Sequence, residues 1–165
     1  MIKIVRGDIT QQTTDAIVNA ANSHLIAGSG LCGAIHRVAG PELEEECRKI
    51  GNCPTGEARI THAYHLSCRY VIHAVAPRYW DGTRGESELL TSCYRSIFAL
   101  TQAHAIESVS IPAIGTGIYR YPIKEATEIA FATTLVAQET HNLSVEFVCF
   151  DDGTRRIYEQ IYQRC

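Results

Sequence analysis

Two short glycine-bearing segments contain the residue types that could hold a phosphate group. They are Gly28-Ser29-Gly30-Leu31-Cys32-Gly33 and Gly115-Thr116-Gly117. Glycine adopts positive φ and lets a phosphate approach the backbone, whose free N–H groups at the start of a helix attract an anion. Neither segment is a Walker loop or has the glycine spacing of the dinucleotide fingerprint. A turn without a ligand explains one such segment equally well, whereas two that face one crevice indicate a diphosphate held from both sides.

Two polar residues near these segments could recognise the rest of a nucleotide. Asn22 precedes the first segment, and its amide offers donors and an acceptor that suit a ribose diol or a positioned water. Its alternative role is that of a turn or cap residue. Asp8 follows the first predicted strand and could accept a hydrogen bond from an adenine amino group, or could simply form a turn with Gly7. For each of these two residues, contact with a ligand and a purely local structural role remain alternatives at this point.

The hydrophobic pattern predicts the elements that would position these residues. The predicted strands cover residues 2–5, 15–19, 58–61, 70–75, 108–114 and 145–150, and the predicted helices cover 34–50, 86–104, 124–139 and 154–163. A glycine loop over 27–33 precedes the first helix, which Pro41 interrupts. Strands alternating with helices predict a largely parallel sheet covered on both faces. Ligands bind such sheets beyond the carboxyl ends of the strands, so the loops after Asn19, Ile114 and Phe150 should converge on one cleft.

Length and composition narrow the class of protein. The chain has 165 residues, of which 45% are hydrophobic, and no linker or repeat interrupts it, so we expect one domain over 1–165. The net charge is −3 with no basic stripe, which argues against binding to long nucleic acid. No apolar run is long enough for a membrane span or a signal peptide, so we expect a cytoplasmic protein, or a nuclear one in a eukaryote. We also expect a monomer without a cofactor.

The seven cysteines predict free thiols rather than a disulfide framework or a zinc site. Their number is odd and their spacing irregular. Five potential zinc ligands fall within about twenty residues, but no CxxC pair is present and they straddle separate predicted elements. The ligands in question are Cys47, Cys53, His62, His65 and Cys68. We therefore expect no metal.

An ordered series of motifs along the whole chain resembles the macrodomain family, and its MacroD-type branch in particular. The series consists of Gly7-Asp8-Ile9-Thr10, Asp15-Ala16-Ile17-Val18-Asn19-Ala20-Ala21-Asn22, Gly33-Ala34-Ile35-His36-Arg37, Pro54-Thr55-Gly56-Glu57-Ala58, Tyr70-Val71-Ile72-His73, Gly115-Thr116-Gly117-Ile118-Tyr119 and Tyr121-Pro122. The resemblance implies a three-layer α/β/α fold with a mixed, mostly parallel central sheet. It also implies binding of ADP-ribose.

The resemblance assigns each part of ADP-ribose to residues of this chain. Asp8 would contact the adenine amino group with Ile9 beside it, and Phe150 would lie near the adenine ring. Asn22 and Tyr119 would lie at the distal ribose. The first phosphate loop would contain Gly30, Leu31 and Cys32, and the second Gly115, Thr116, Gly117, Ile118 and Tyr119.

The first loop departs from the MacroD-type pattern. Ala27 and Ser29 stand where that branch has glycines, and Cys32 replaces an aspartate credited with orienting or activating water. An ordinary thiol is mostly protonated at pH 7, so Cys32 is either an inert small residue or a thiolate stabilised by the helix N-terminus. His36, four residues on, could pair with it or could be a packed histidine. Arg120, where a glycine is common, either adds charge to the cleft or points into solvent.

Two functions from different classes fit these residues. The first is hydrolysis of mono-ADP-ribose esters, on acidic side chains of proteins or as O-acetyl-ADP-ribose, with Asn22, Cys32 and Tyr119 as candidate catalytic positions. Alphavirus macrodomains also resemble this chain in having cysteine at the Cys32 position, and that branch includes such hydrolases. The second is a module that binds ADP-ribose without turnover. A different nucleotide-binding enzyme on a similar sheet is a third alternative.

Overall fold

The computed structural model describes residues 1–165 and contains six strands, five α-helices and one short 3-10 helix. The strands are β1 (Ile2–Arg6), β2 (Ala16–Ala20), β3 (Ala58–His62), β4 (Tyr70–Ala74), β5 (Ser108–Pro112) and β6 (Ser144–Cys149). The helices are α1 (Gly30–Ala39), α2 (Pro41–Ile50), α3 (Glu86–Ala103), α4 (Ile123–Thr140) and α5 (Asp152–Tyr162), and the 3-10 helix is Ile9–Gln11.

The six strands form one sheet whose order brings the predicted ligand loops together. The order is β1-β6-β5-β2-β4-β3, and every neighbouring pair is parallel except β3 with β4. Because the carboxyl ends of parallel strands lie at the same edge, the segments after β1, β6, β5 and β2 follow one another along that edge. The predicted convergence of the loops after the second, fifth and sixth strands is therefore confirmed.

Residues of the strands alternate between two hydrophobic cores, one on each face of the sheet. In β2, Ala16 and Val18 belong to the core under α3, α4 and α5, while Ile17 belongs to the core under α1 and α2. Successive side chains of a strand point to opposite faces, so an apolar run such as this one must be covered on both sides. The mixed, mostly parallel sheet between two helical layers confirms the expected α/β/α fold.

The start of the first helix differs from the prediction. Instead of one helix over 34–50, α1 begins at Gly30 and ends before Gly40, whose φ of 94° breaks the chain direction, and Pro41 is the first residue of α2. The predicted division at Pro41 is thus confirmed, but the predicted glycine loop over 27–33 is wrong from Gly30 onward. Burial of the inward face of α1, including Ile35 at zero exposure, outweighs the low helix propensity of its glycines.

Three further observations concern membranes, metals and thiols. None of the helices has the length together with the apolar character that a bilayer span demands. No group of three or more His, Cys, Asp or Glu side chains is arranged so that it could hold a metal ion. All seven cysteines are free thiols.

Candidate functional site

The sheet divides at its carboxyl edge between β2 and β5. These two strands are registered only through Ala16 with Val109 and Ile17 with Ser110, although β2 continues to Ala20 and β5 to Pro112. Beyond the pair Ile17 and Ser110, no further residues of the two strands are paired. Both glycine-bearing loops begin at this division, one from each strand, so the division is where a ligand could enter between them.

The first loop offers three free backbone donors at the start of α1. Ser29 is the N-cap residue, and the first amide with a backbone acceptor is that of Gly33, which donates to the Ser29 carbonyl at 3.3 Å. The N–H groups of Gly30, Leu31 and Cys32 make no hydrogen bond within the protein. Free amides at a helix N-terminus bind anions, and the helix dipole adds to the attraction.

Gly33 shapes this loop by allowing a close approach between two backbone segments. A Cβ placed on Gly33 would lie 2.2 Å from the carbonyl oxygen of Gly28, which is far inside van der Waals contact. The loop therefore folds back onto α1 only because this residue has no side chain. Gly30, with a φ of 59°, turns the chain into the helix.

The second loop offers five consecutive free backbone donors. The amides of residues 115–119 have no hydrogen-bond acceptor in the protein. The loop is closed by its own backbone, since Tyr121 N–H donates to the Gly115 carbonyl at 2.8 Å and Arg120 N–H to the Gly117 carbonyl at 3.0 Å. Gly115 and Arg120 both have positive φ, 83° and 62°. A run of unbonded N–H groups in a tight turn forms an anion-binding concavity without the help of a helix.

Asp8 and Ile9 lie at the end of β1, at the other end of this edge of the sheet. The Asp8 Oδ1 atom accepts hydrogen bonds from the Thr10 N–H at 2.9 Å and the Thr10 hydroxyl at 2.7 Å, so it caps the 3-10 helix. Its Oδ2 atom makes no hydrogen bond. The Ile9 side chain is buried, so only its backbone could reach a ligand. Asp8 thus fills its alternative turn role and keeps one oxygen available for an amino group.

Two large apolar side chains beside these loops are exposed. Phe150, which follows β6, is 85% exposed, and Ile118 of the second loop is 80% exposed. Because β6 lies between β1 and β5, Phe150 comes between Asp8 and the second loop along the edge. Neither side chain contributes to a core, so both are free to cover a flat, apolar part of a ligand.

Asn22 is engaged in its own loop. Its Oδ1 atom accepts hydrogen bonds from the N–H groups of His24 and Ile26 at 3.1 and 3.2 Å, and its Nδ2 atom donates to the Ile26 carbonyl at 2.8 Å. This is the turn role that sequence analysis kept as an alternative. One Nδ2–H bond stays free for a sugar or a water, so the sugar contact remains a prediction.

Cys32 points into the protein rather than pairing with His36. Its thiol is 3.5 Å from the Asn19 Nδ2 atom and 3.6 Å from the Ile26 carbonyl oxygen, and no hydrogen bond joins it to His36. His36 is buried, its Nδ1 atom has no partner, and burial lowers its pKa although Glu44 acts in the opposite direction. The arrangement favours the inert Cys32 and the packed His36 over a Cys–His pair.

A buried polar network under the first loop was missed by the sequence analysis. Asn19, at zero exposure in β2, donates to both the Cys32 thiol and the Nδ1 atom of His73 at 3.1 Å. Since Nδ1 of His73 accepts, its Nε2 atom carries the proton and donates to the Thr61 hydroxyl at 2.9 Å. Burial, with a smaller contribution from His36, lowers the pKa of His73 to about 3. The signal was present as a polar residue in the apolar run Ala16-Ile17-Val18-Asn19.

Tyr119 and Arg120 complete the second loop. Tyr119 is half-buried against the core, and its carbonyl accepts a hydrogen bond from the Tyr79 N–H at 2.8 Å, so the segment after β4 braces this loop. Arg120 is exposed and makes no ion pair. This geometry is compatible with both roles considered for Arg120, which are to add positive charge near the ligand or to point into solvent.

Together these features follow one another along the carboxyl edge of the sheet in a defined chemical order. A carboxylate oxygen and an exposed aromatic ring lie at one end, and two sets of free amides flank the division between β5 and β2. The amides suit a diphosphate, and the ring and carboxylate suit a base with an amino group. No carboxylate lies at the first loop to act as a base on water.

Comparisons with known proteins point to one family. A family model described as "Macro domain" matches residues 18–130. The chain is 50% identical to a macro domain-containing protein of Mesorhizobium japonicum, covering 95% of this chain and 90% of that protein. It is 46% identical to a protein of Escherichia fergusonii named O-acetyl-ADP-ribose deacetylase, covering 97% and 94%. Among solved structures, a variant of the Oceanobacillus iheyensis macrodomain with ADPR superimposes with a TM-score of 0.93 at 40% identity, covering 98% of this chain and 91% of that one.

Proposed function

The chain belongs to the Macro domain family, and from that premise we propose that it binds ADP-ribose and hydrolyses mono-ADP-ribose esters, on acidic side chains of proteins or as O-acetyl-ADP-ribose. One observation carries the proposal: eight unbonded backbone amides, three at the start of α1 and five in the second loop, flank the division between β2 and β5. A diphosphate between two sugars is the ligand whose charge and length suit two such donor sets. The deacetylase name of the Escherichia fergusonii relative supports the ester chemistry.

The two ester substrates break at different bonds. For an acidic side chain esterified to the anomeric carbon of the distal ribose, water attacks that carbon, the bond from the carbon to the carboxylate oxygen breaks, and a proton passes from the attacking water to solvent, leaving a free carboxylate and ADP-ribose. This reaction asks for little acid–base chemistry from the protein, because a carboxylate, whose conjugate acid has a pKa of about 4, is a good leaving group. For O-acetyl-ADP-ribose, water attacks the acyl carbon, the bond from that carbon to the sugar oxygen breaks, and the sugar oxygen takes a proton from water, leaving acetate and ADP-ribose. In this mechanism Asn22 and residues 115–119 hold the distal ribose, and the diphosphate of the substrate positions the water. Catalysis then rests on positioning rather than on a protein base.

Turnover of a defined substrate tests the proposal. A peptide with glutamate-linked mono-ADP-ribose, and separately O-acetyl-ADP-ribose, is incubated with the pure protein, and released ADP-ribose is measured. We expect release well above that of an Asn22→Ala variant, which loses both the free amide N–H and the three bonds that shape the loop.

His24→Ala is the matched control, because His24 lies in the same loop and its side chain is exposed without a hydrogen bond. We expect this variant to keep the wild-type rate. Release no faster than that of Asn22→Ala would exclude the hydrolase.

A module that binds ADP-ribose without turnover is the second candidate, and the position of Cys32 favours it. The thiol is engaged with Asn19 and the Ile26 carbonyl, so the first loop presents no base to a ligand. Both candidates predict binding of free ADP-ribose, which calorimetry measures directly. Only the turnover experiment separates them.

Replacement of Cys32 by aspartate tests how the rate is limited. If the missing carboxylate limits turnover, Cys32→Asp raises the rate of ester hydrolysis by about a hundredfold or more, in the range of general base catalysis. An unchanged or lower rate indicates that catalysis proceeds by positioning alone. Calorimetry with ADP-ribose on the same variant shows whether the first loop has kept its shape.

A further inference from the structure

A side chain of α1 is hydrogen-bonded to the turn that contains Asn22, here called the Asn22 turn (residues 22–26). The Ile26 carbonyl oxygen accepts one hydrogen bond from the Asn22 Nδ2 atom at 2.8 Å and another from the Cys32 thiol at 3.6 Å. The first bond lies within the turn, whereas the second comes from the first turn of α1. Cys32 is therefore the side chain through which the helix can fix the Asn22 turn.

The Asn22 turn needs such support because part of its backbone has an uncommon conformation. Leu25 has a φ of 57°, in the left-handed region that side chains other than glycine disfavour. Such a conformation persists only where the surrounding contacts stabilise it. Here those contacts are the burial of Leu25, at 2% exposure, and the hydrogen bonds that Asn22 and Cys32 make to Ile26.

The buried polar network under the first loop fixes the direction of the hydrogen bonds at Cys32. The Thr61 hydroxyl donates its only proton to a backbone carbonyl at 3.0 Å, so it must accept from the Nε2 atom of His73. The Nδ1 atom of His73 then accepts from Asn19, whose second Nδ2–H points to the Cys32 sulfur. Because the sulfur accepts on that side, its own proton is available to the Ile26 carbonyl.

The amide of Asn19 gives an independent indication that this network serves the site. Its Oδ1 atom has no hydrogen-bond partner, although the residue has zero exposure. Buried polar atoms are normally paired, and one left unpaired keeps the whole cost of its desolvation. The amide is therefore placed for its two donors, one of which acts on Cys32.

The Asn22 amide that is held in this way lies beside the first loop. A Cβ placed on Gly28 would be 3.9 Å from the Asn22 Nδ2 atom, which is ordinary van der Waals contact. The Oδ1 atom accepts from two backbone N–H groups and one Nδ2–H goes to Ile26, so a single N–H is free. Because an amide group is planar, the position of the Ile26 carbonyl sets the direction of this free N–H.

We propose that Cys32 is a positioning residue for Asn22: by donating to the Ile26 carbonyl, its thiol aims the free Asn22 N–H at the distal ribose. The inference rests on the proposed function, in which Asn22 contacts that ribose. It also accounts for a thiol where the MacroD-type branch has an aspartate. A carboxylate is ionised at pH 7, so it cannot donate and would repel the Ile26 carbonyl oxygen.

Three substitutions of Cys32 separate hydrogen-bond donation from size and charge, with affinities for ADP-ribose and for ADP measured by calorimetry. ADP lacks the distal ribose, so its affinity should not depend on how Asn22 is aimed. Cys32→Ala removes the donor and should lower the affinity for ADP-ribose about fivefold, as for the loss of one ordinary hydrogen bond, at unchanged affinity for ADP. Cys32→Ser keeps a donor and should stay within about twofold of the wild type for both ligands.

Turnover of the glutamate-linked substrate should follow the same order. We expect kcat/KM to fall about fivefold in Cys32→Ala, to be nearly normal in Cys32→Ser, and to be no higher in Cys32→Asp than in Cys32→Ala. Cys93→Ala is the matched control, because Cys93 is a buried free thiol in the core on the other face of the sheet. This control should keep the wild-type ratio of the two affinities even where Tm falls.

A double-mutant cycle shows whether Cys32 acts through Asn22. In an Asn22→Ala background there is no amide to aim, so Cys32→Ala should cause no further loss of affinity for ADP-ribose. Equal losses in the two backgrounds would overturn the proposal. A serine variant as weak as the alanine variant, or an aspartate variant faster than the wild type, would also overturn it.

The infrared S–H stretching band reports the hydrogen bond of the thiol without any ligand. The difference between the spectra of the wild type and of Cys32→Ala isolates the band of Cys32 among the seven free thiols. We expect the lowered frequency of a thiol that donates to a carbonyl. A band at the frequency of a thiol that does not donate would contradict the positioning role.

The outcomes separate this inference from the proposed function. Wild-type affinity and turnover in Cys32→Ala would overturn the positioning role of Cys32 while leaving the proposed function intact. Failure of the wild-type protein to bind ADP-ribose at all would overturn the proposed function, and the inference with it.

Discussion

The two glycine-bearing loops present the same kind of donor but are supported in different ways. The first depends on side chains and on one missing side chain. Asn22 makes three hydrogen bonds inside this loop, and the Cys32 thiol accepts a hydrogen bond from Asn19 in β2. Gly33 has no Cβ, so the backbone of Gly28 can pack against it. The second is closed by backbone hydrogen bonds and braced through Tyr79. A change in the first loop should therefore disturb folding and binding together, whereas a change in the second should affect binding alone.

Gly33→Ala should separate the loops most clearly. The new Cβ would meet the Gly28 carbonyl at 2.2 Å, so the loop must move away from α1. We expect a loss of about 2 kcal/mol in the free energy of unfolding, as for other overpacked sites, and a fall in Tm of about 4–8 °C. Affinity for ADP-ribose, measured by calorimetry, should fall by more than about tenfold because the three amides are displaced.

Gly117→Ala is the matched change in the second loop. A Cβ at this position would meet no atom within 4 Å, and the backbone is not left-handed there. The free energy of unfolding should change by less than about 0.5 kcal/mol. A fall in Tm equal to that of Gly33→Ala would contradict the distinction between the loops.

The network beneath the first loop should make stability depend on pH. His73 has a pKa of about 3 in the folded protein and near 6.5 when unfolded, so below about pH 6.5 the unfolded chain binds a proton that the folded one does not. The free energy of unfolding should therefore fall by about 2 kcal/mol between pH 7 and pH 5 from this residue. Burial lowers the pKa of His36 too, which acts in the same direction.

Urea unfolding at several pH values, compared with a His73→Gln variant, measures this contribution. The variant cannot titrate, so its stability should depend less steeply on pH even where its absolute stability is lower. Equal slopes in the two proteins would show that the network does not control the acid sensitivity.

The sequence predicted the parts of the site that depend on order along the chain. Alternation of strands and helices located both glycine loops at the edge of the sheet, and Pro41 located the break between α1 and α2. What it did not predict depends on tertiary contacts between distant positions. The early start of α1 at Gly30 follows from burial of its inward face, and the contact between Asn19 and His73 joins residues of two neighbouring strands. The bonds of Asn22 to Ile26 are short-range, and the sequence analysis named this turn role without a reason to choose it over contact with a ligand.

The exposed ring of Phe150 gives the smallest expected effect and the opposite kind of result from Gly33. Because 85% of the residue is exposed, Phe150→Ala should leave Tm unchanged, yet it removes the surface on which a base could stack. Stacking on an aromatic side chain is worth about 1–3 kcal/mol per base, so affinity for ADP-ribose should fall about tenfold while that for ribose 5-phosphate, which has no base, stays the same. Val136→Ala, another exposed apolar residue in α4, is the control and should change neither quantity. An equal loss of affinity for both ligands would mean that Phe150 maintains the shape of the site rather than stacking on the base. Phe150 would then belong with Gly33 among the residues that shape the site, and not among those that only contact the ligand.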